Sequence, residues 1–137
     1  MKKVKQLLIA ITIGFFAITT TSCSKEEGCT DITATNYDSE AGEDDGSCTF
    51  NGKVTFWQYS GDSFNTTTVT VNGTTKSITE DITTTSGPSE CSTSGTAIFE
   101  FPTGTYTYTA SESGTNNTWT SSFEITKNGC HKRRLKN

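Results

Sequence analysis

From Gly52 onward the chain alternates apolar and polar side chains in short runs, with turn residues between them. Alternation with period two marks half-buried strands. The pattern predicts seven of them. Lys53–Ser60 puts Val54 and Phe56 on one face and Trp57 and Tyr59 on alternate positions. Thr66–Val71 carries Val69 and Val71, and Asn72-Gly73 then makes a hairpin turn with positive φ at both residues. Thr74–Glu80 returns with Ile78. A polar stretch from Asp81 to Ser94, holding Gly87-Pro88 and Cys91, separates it from Thr96–Phe101. Pro102-Thr103-Gly104 turns into Thr105–Ser111, where Tyr106, Tyr108 and Ala110 alternate with threonines. Asn117–Thr126 sets Trp119, Ser121, Phe123 and Ile125 on one face. After Asn128-Gly129, Cys130–Leu135 closes the series. Threonine suits the outward positions of pleated strands. The expectation is an all-β fold, a small seven-stranded antiparallel sandwich over residues 50–137, with helix nearly absent.

The N-terminus has a different pattern. Lys2, Lys3 and Lys5 precede an apolar run from Leu7 to Ile18. That run is shorter than the roughly 20 apolar residues of a spanning helix and has the length of a secretory signal core. Thr20, Thr21 and Ser22 lead into Cys23. The junction resembles a bacterial lipoprotein lipobox, with Thr20 where leucine is usual. The resemblance implies that residues 1–22 are a cleaved signal peptide and that Cys23 is acylated. Two or three chains would anchor the protein stably in a membrane, where one alone is marginal. Residues 23–27 then read as an acidic tether. Their Ser24-Lys25-Glu26-Glu27 resembles the signal that sends Bacteroidota lipoproteins to the outer face of the outer membrane. The expected location is the cell envelope, as an outer-membrane lipoprotein displayed at the surface.

Five cysteines are an odd number for an exported chain. Giving Cys23 to lipid leaves four, and exported compartments favour disulfides. Of three possible pairings, Cys29–Cys48 with Cys91–Cys130 is favoured. The first brackets a compact acidic segment, and the second ties an internal loop to the last strand. Loss of the three signal-peptide lysines takes the net charge from −4 to −7. Nucleic-acid binding needs a basic face, so no nucleic-acid partner is expected.

Residues 28–48 contain Cys29-Thr30-Asp31, Ala34-Thr35-Asn36-Tyr37 and Asp44-Asp45-Gly46-Ser47-Cys48. This resembles a small cysteine-bracketed module of secreted Bacteroidota proteins, with Ile32 where proline is usual. The segment has too few apolar side chains to form a core alone. A disulfide with Tyr37 packed inward would order it, and Gly46 would take φ > 0 in a turn. Asp31, Asn36, Asp38, Asp44 and Asp45 offer the oxygens calcium prefers, without the EF-hand spacing. The competing reading is a disulfide-closed spacer.

Within the strand-rich region, Phe101-Pro102-Thr103-Gly104-Thr105-Tyr106 resembles the Leu-Pro-x-Gly-x-Tyr step of transthyretin-like sandwiches, among them carboxypeptidase-regulatory-like and PEGA-type domains. Val69-Thr70-Val71-Asn72-Gly73 resembles the earlier strand and turn of that group. The resemblance implies a fold and no activity.

No catalytic constellation stands out, and no enzyme activity is expected. His131 is the single histidine and reads as a surface residue. Asp62, Glu80, Asp81, Glu90, Glu100, Glu112 and Glu124 are scattered. Trp57, Tyr59 and Trp119 form a candidate sugar-stacking platform, against the alternative that they fill the core. The basic tail of Lys132, Arg133, Arg134 and Lys136 reads as protective charge on an edge strand. These features together point to a membrane-anchored, non-enzymatic binding or adhesion module. Its expected ligand is a glycan or another envelope protein. The alternatives are an envelope inhibitor or immunity lipoprotein, and a structural spacer.

Overall fold

The computed structural model describes residues 25–62 and 65–136. The expected signal peptide of residues 1–22 and the expected lipid-bearing Cys23 lie outside them. Among the described residues there are nine strands: β1 (Glu26–Gly28), β2 (Ala41–Asp44), β3 (Asn51–Trp57), β4 (Thr67–Val71), β5 (Thr74–Ile78), β6 (Ala97–Pro102), β7 (Gly104–Glu112), β8 (Thr118–Ile125) and β9 (Cys130–Arg134). The last seven form a sandwich of two sheets, ordered β6-β3-β9 and β5-β4-β7-β8. Helix among the described residues is limited to one 3-10 turn, Ser60–Asp62.

The inward face of each strand is the apolar set of its alternation. Val54 and Phe56 from β3, with Ala97 and Phe99 from β6, meet Val69, Val71, Ile78, Tyr108, Ala110, Phe123 and Ile125 from the other sheet. Phe56 sits at the centre. Its ring is edge-on to Phe99 and Phe123, at centroid distances of 5.9 and 5.7 Å, and tilted on Tyr108 at 4.6 Å. Edge-to-face pairs suit the ring quadrupole. At one end of the core Gln58 Nε2 donates to Thr67 Oγ1 at 2.8 Å, both residues being buried. The hairpin turn has the expected conformation, with φ 46° at Asn72 and 76° at Gly73. Tyr106 donates its hydroxyl to Pro102 O at 3.0 Å and closes the turn before its own strand.

One strand pair departs from the antiparallel expectation. β9 runs parallel to β3, pairing Lys53 with Cys130 through Trp57 with Arg134. Alternation fixes which side chains point inward but not strand direction. The chain therefore re-enters the first sheet beside its earliest strand, on the side away from β6.

The outward face of β3 is also covered. The loop of residues 79–96 crosses from β5 to β6 over this sheet, and Cys91–Cys130 fastens it to β9. Thr55 donates to Thr96 Oγ1 at 2.8 Å. Tyr59 and Ile82 form an isolated bridge. The Trp57 ring lies against Gly87, where an added Cβ would sit 2.6 Å from Trp57 Cε2. Trp57 is only 4% exposed as a result.

The acidic segment is more ordered than a plain spacer. Glu26 pairs with Ala41, Glu27 with Glu43 and Gly28 with Asp44 in a short parallel ladder. The tether assigned to residues 23–27 is thus partly strand. The Glu27–Glu43 pairing sets like charges opposite each other, an arrangement that opposes pairing. The ladder persists beside Cys29–Cys48, whose Cα atoms are 4.8 Å apart. Tyr37 does not pack inward; it is 44% exposed. Polar bonds take its place: Asn36 Nδ2 donates to Ser47 O at 2.8 Å, and Asn36 Oδ1 accepts from Thr49 N at 2.7 Å.

Candidate functional site: a polar cleft beside the covering loop

The acidic segment, the covering loop and the end of the first sheet converge on one polar cleft of about 450 Å³. Thr33 and Thr35 come from the acidic segment, Glu90 and Ser92 from the covering loop, and Asn51, Lys53 and Glu100 from β3 and β6. Asn128 and Gly129 close it from the β8–β9 turn.

The arrangement follows from local rules. Asn51 and Lys53 lie on the outward side of β3, one position out of phase with Val54. Pairing of β3 with β6 sets Lys53 opposite Glu100, and their charged groups approach to 3.7 Å with both side chains about half exposed. Asn51 Nδ2 adds a bond to Glu100 Oε1 at 3.3 Å. The Glu90 carboxylate accepts from Ser92 Oγ at 3.1 Å. Asn128 takes φ 52° in the turn, which asparagine tolerates better than most residues. Gly52 permits a close approach here: a Cβ would lie 2.7 Å from Ile125 Cγ2 and press on Thr126 O. The cleft thus offers amides, hydroxyls, one ammonium and two carboxylates within one open concavity.

The acidic segment is held against the sandwich by Lys127. Its ammonium meets Asp31 Oδ2 at 2.6 Å and lies 3.7 Å from the Phe50 ring centroid. This contact, with the hydroxyl and N–H of Thr33, holds the Asp31 carboxyl down to about 2. Of the other proposed calcium ligands, Asn36 Oδ1 is taken by Thr49 N and the three aspartates cap their own turns. Asp38 accepts from Glu40 N, Asp44 from Gly46 N, and Asp45 from Ser47 N, at 2.8–2.9 Å. The Ser47 contacts also lower the Asp45 carboxyl. No three His, Cys, Asp or Glu side chains converge on a point fit for a metal ion among the described residues.

The aromatic platform is not assembled. Trp57 is under the covering loop. Tyr59 lies partly buried beneath the Arg134 guanidinium, which sits 5.0 Å from its ring and 5.5 Å from that of Trp57. Arg134 is itself fixed by Asp62 at 2.6 Å. Trp119, on β8 of the other sheet, packs against the shared core and donates Nε1–H to Lys136 O at 2.7 Å. The core reading wins for Trp57, because the loop supplies the partner surface its sheet lacks. His131 is partly buried, its Nε2 accepting from Thr126 N at 3.1 Å. Lys132, Arg133 and Arg134 of the basic tail lie on β9, which borders the first sheet as its edge, and Lys136 follows it.

Sequence reasoning passed over Glu112. It is buried at the end of β7, and its carboxylate accepts from Asn65 N and Asn117 Nδ2, each at 2.7 Å, and from Thr115 Oγ1 at 3.1 Å. The Asn65 N–H, with Asn117 and Thr115, holds the carboxyl below its ordinary value. Its inward phase on β7, shared with Tyr108 and Ala110, was the available signal.

The chain matches no protein-family model and no curated protein. Among solved structures it is similar to the Bacillus anthracis TIE protein, at 19% identity and a TM-score of 0.43. The match covers 70% of this chain and 19% of that one, so the chain spans about a fifth of that protein's length.

Proposed function

We propose that this chain is a lipid-anchored, non-enzymatic lipoprotein of the cell envelope that binds a glycan or another envelope protein through the cleft beside its covering loop. The observation that carries the reading is the convergence of three separately fastened parts on one polar concavity. One disulfide closes the acidic segment that supplies Thr33 and Thr35, and the other pins the loop that supplies Glu90 and Ser92. Preorganised amides, hydroxyls and charges bind polar ligands without the entropy loss of ordering a loop.

Both disulfides support an oxidising compartment, as does the leader ending at Cys23. The fate of the carboxylates supports binding over catalysis. Glu112 and Asp62 are committed to structural bonds, and the cleft's Glu100 is tied to Lys53 and Asn51.

The test has two arms. Mass spectrometry of native material should give a mature N-terminus at acylated Cys23; an unmodified thiol or a retained leader would end the anchoring part. The soluble chain from Ser24 should retain a glycan on an array or an envelope protein in a pull-down. Asn51→Ala and Glu90→Ala should each weaken that capture. Capture by neither route, or capture indifferent to both substitutions, would remove the cleft from consideration.

A further inference from the structure

The four outer strands of the sandwich differ in how their free edges are protected. β5 is five residues long and continues into bonds from Thr79 N and Glu80 N to Gly95 O. On β6, Pro102 has no N–H and Ile98 O accepts the Lys76 ammonium. β9 carries Lys132, Arg133 and Arg134. Short length, proline and basic side chains are the usual defences of an exposed edge. β8 has none of them. It runs eight residues, Thr-Trp-Thr-Ser-Ser-Phe-Glu-Ile, with Glu124 its single charge.

The register shows which backbone groups of β8 face outward. Glu112 N bonds Asn117 O at the start of the β7–β8 ladder. Bonded and non-bonded pairs alternate along an antiparallel ladder. Trp119, Ser121, Phe123 and Ile125 therefore bond β7, opposite Ala110, Tyr108, Tyr106 and Gly104. The N–H and C=O groups of Thr118, Thr120, Ser122 and Glu124 point away from β7. None of them takes a backbone partner among the described residues. Ser122 O has only a long 3.5 Å contact from the Ser121 hydroxyl.

We propose that β8 is a self-association edge, pairing antiparallel with β8 of a second copy about a two-fold axis through Ser121. This register uses every freed group: Thr118 faces Glu124 of the second copy, and Thr120 faces its Ser122. Inward-facing positions meet inward-facing positions, Trp119 beside Phe123 of the other copy. Glu124 meets a threonine and no like charge, whereas basic side chains crowd β9. A continuous eight-stranded sheet results from the two four-stranded ones. The inference is independent of the cleft.

Sedimentation equilibrium of the chain from Ser24 should show a reversible monomer–dimer equilibrium. Ser122→Pro removes an outward N–H and leaves the β7 ladder intact, as proline is tolerated at edges. It should raise the dimer Kd by about tenfold or more, since two bonds are lost per dimer. Ser121→Cys places two thiols in a non-bonded pair with Cα atoms about 4.5 Å apart, within disulfide range. It should cross-link on mild oxidation, and Thr118→Cys should not. A monomer across the accessible concentration range, a dimer indifferent to Ser122→Pro, or equal cross-linking of both cysteine variants would each overturn the proposal.

Discussion

Replacing Cys91 and Cys130 together by serine should destabilise the sandwich sharply. The bridge spans 39 positions and encloses β6, β7 and β8, so its loss frees three of the seven sandwich strands in the unfolded chain. The loop-entropy relation gives about 4 kcal/mol for a closure of this length. With a urea m-value of about 1.5 kcal/mol/M, the midpoint should fall by about 2.5 M. Trp57 reports the transition directly, because it is buried beneath the loop that the bridge fastens. A Trp119→Phe background removes the second indole. In native buffer Trp57 emission should stay blue and poorly quenched, since the loop keeps its Ser60 N–Ile82 O and Ile82 N–Gln58 O bonds. A midpoint shift below about 0.7 M, equivalent to about 1 kcal/mol, would refute the reasoning. It would mean that the loop is ordered by packing, with the bridge a passenger.

Opening Cys29–Cys48 by double serine substitution should leave the sandwich transition within about 1 kcal/mol, because that bridge encloses none of its strands. Limited proteolysis should then cut between residues 29 and 48. Thr67→Val should cost about 1–3 kcal/mol by leaving the buried Gln58 amide without its acceptor, read by urea denaturation. Gly52→Ala should cost about 1–3 kcal/mol by forcing a methyl against Ile125 and the Thr126 carbonyl. Acid should loosen the molecule at Asp31 and Glu112. Both carboxyls are held below their ordinary values when folded, so their contributions are complete above about pH 5 and are lost as pH falls; for Asp31 the loss continues down to about 2. Carboxyl titration by NMR should show Asp31 moving up in Lys127→Ala.

The seven sandwich strands were legible because each couples an alternating run to a recognisable turn, as in Val69-Thr70-Val71-Asn72-Gly73 followed by Thr74. The pattern separates two faces and says nothing of what covers them. Trp57 therefore stood as a candidate for an outward platform, and the loop that covers it and Thr55 is evident only in the folded molecule. Strand direction was equally hidden, so β9 appears parallel to β3 where antiparallel pairing was expected. β1 and β2 span three and four residues, too short for any period to mark them. The cysteine pairing was legible by parity and position. The cleft was not, because Asn51, Lys53, Glu90 and Glu100 are ordinary surface residues until β3 and β6 align and the covering loop is pinned beside them.

The parallel seating of β9 bears on the order in which the molecule can mature. A polypeptide emerging amino-end first supplies the middle strand of the smaller sheet early and one of its two flanks last. Until then that flank stays open to any passing extended segment, and the sulfur of Cys91 has no rightful mate within its own fold. Thiol oxidation that runs ahead of completion would trap Cys91 with Cys29 or Cys48, so an isomerase, or oxidation delayed until release, should govern the yield of correctly bridged protein.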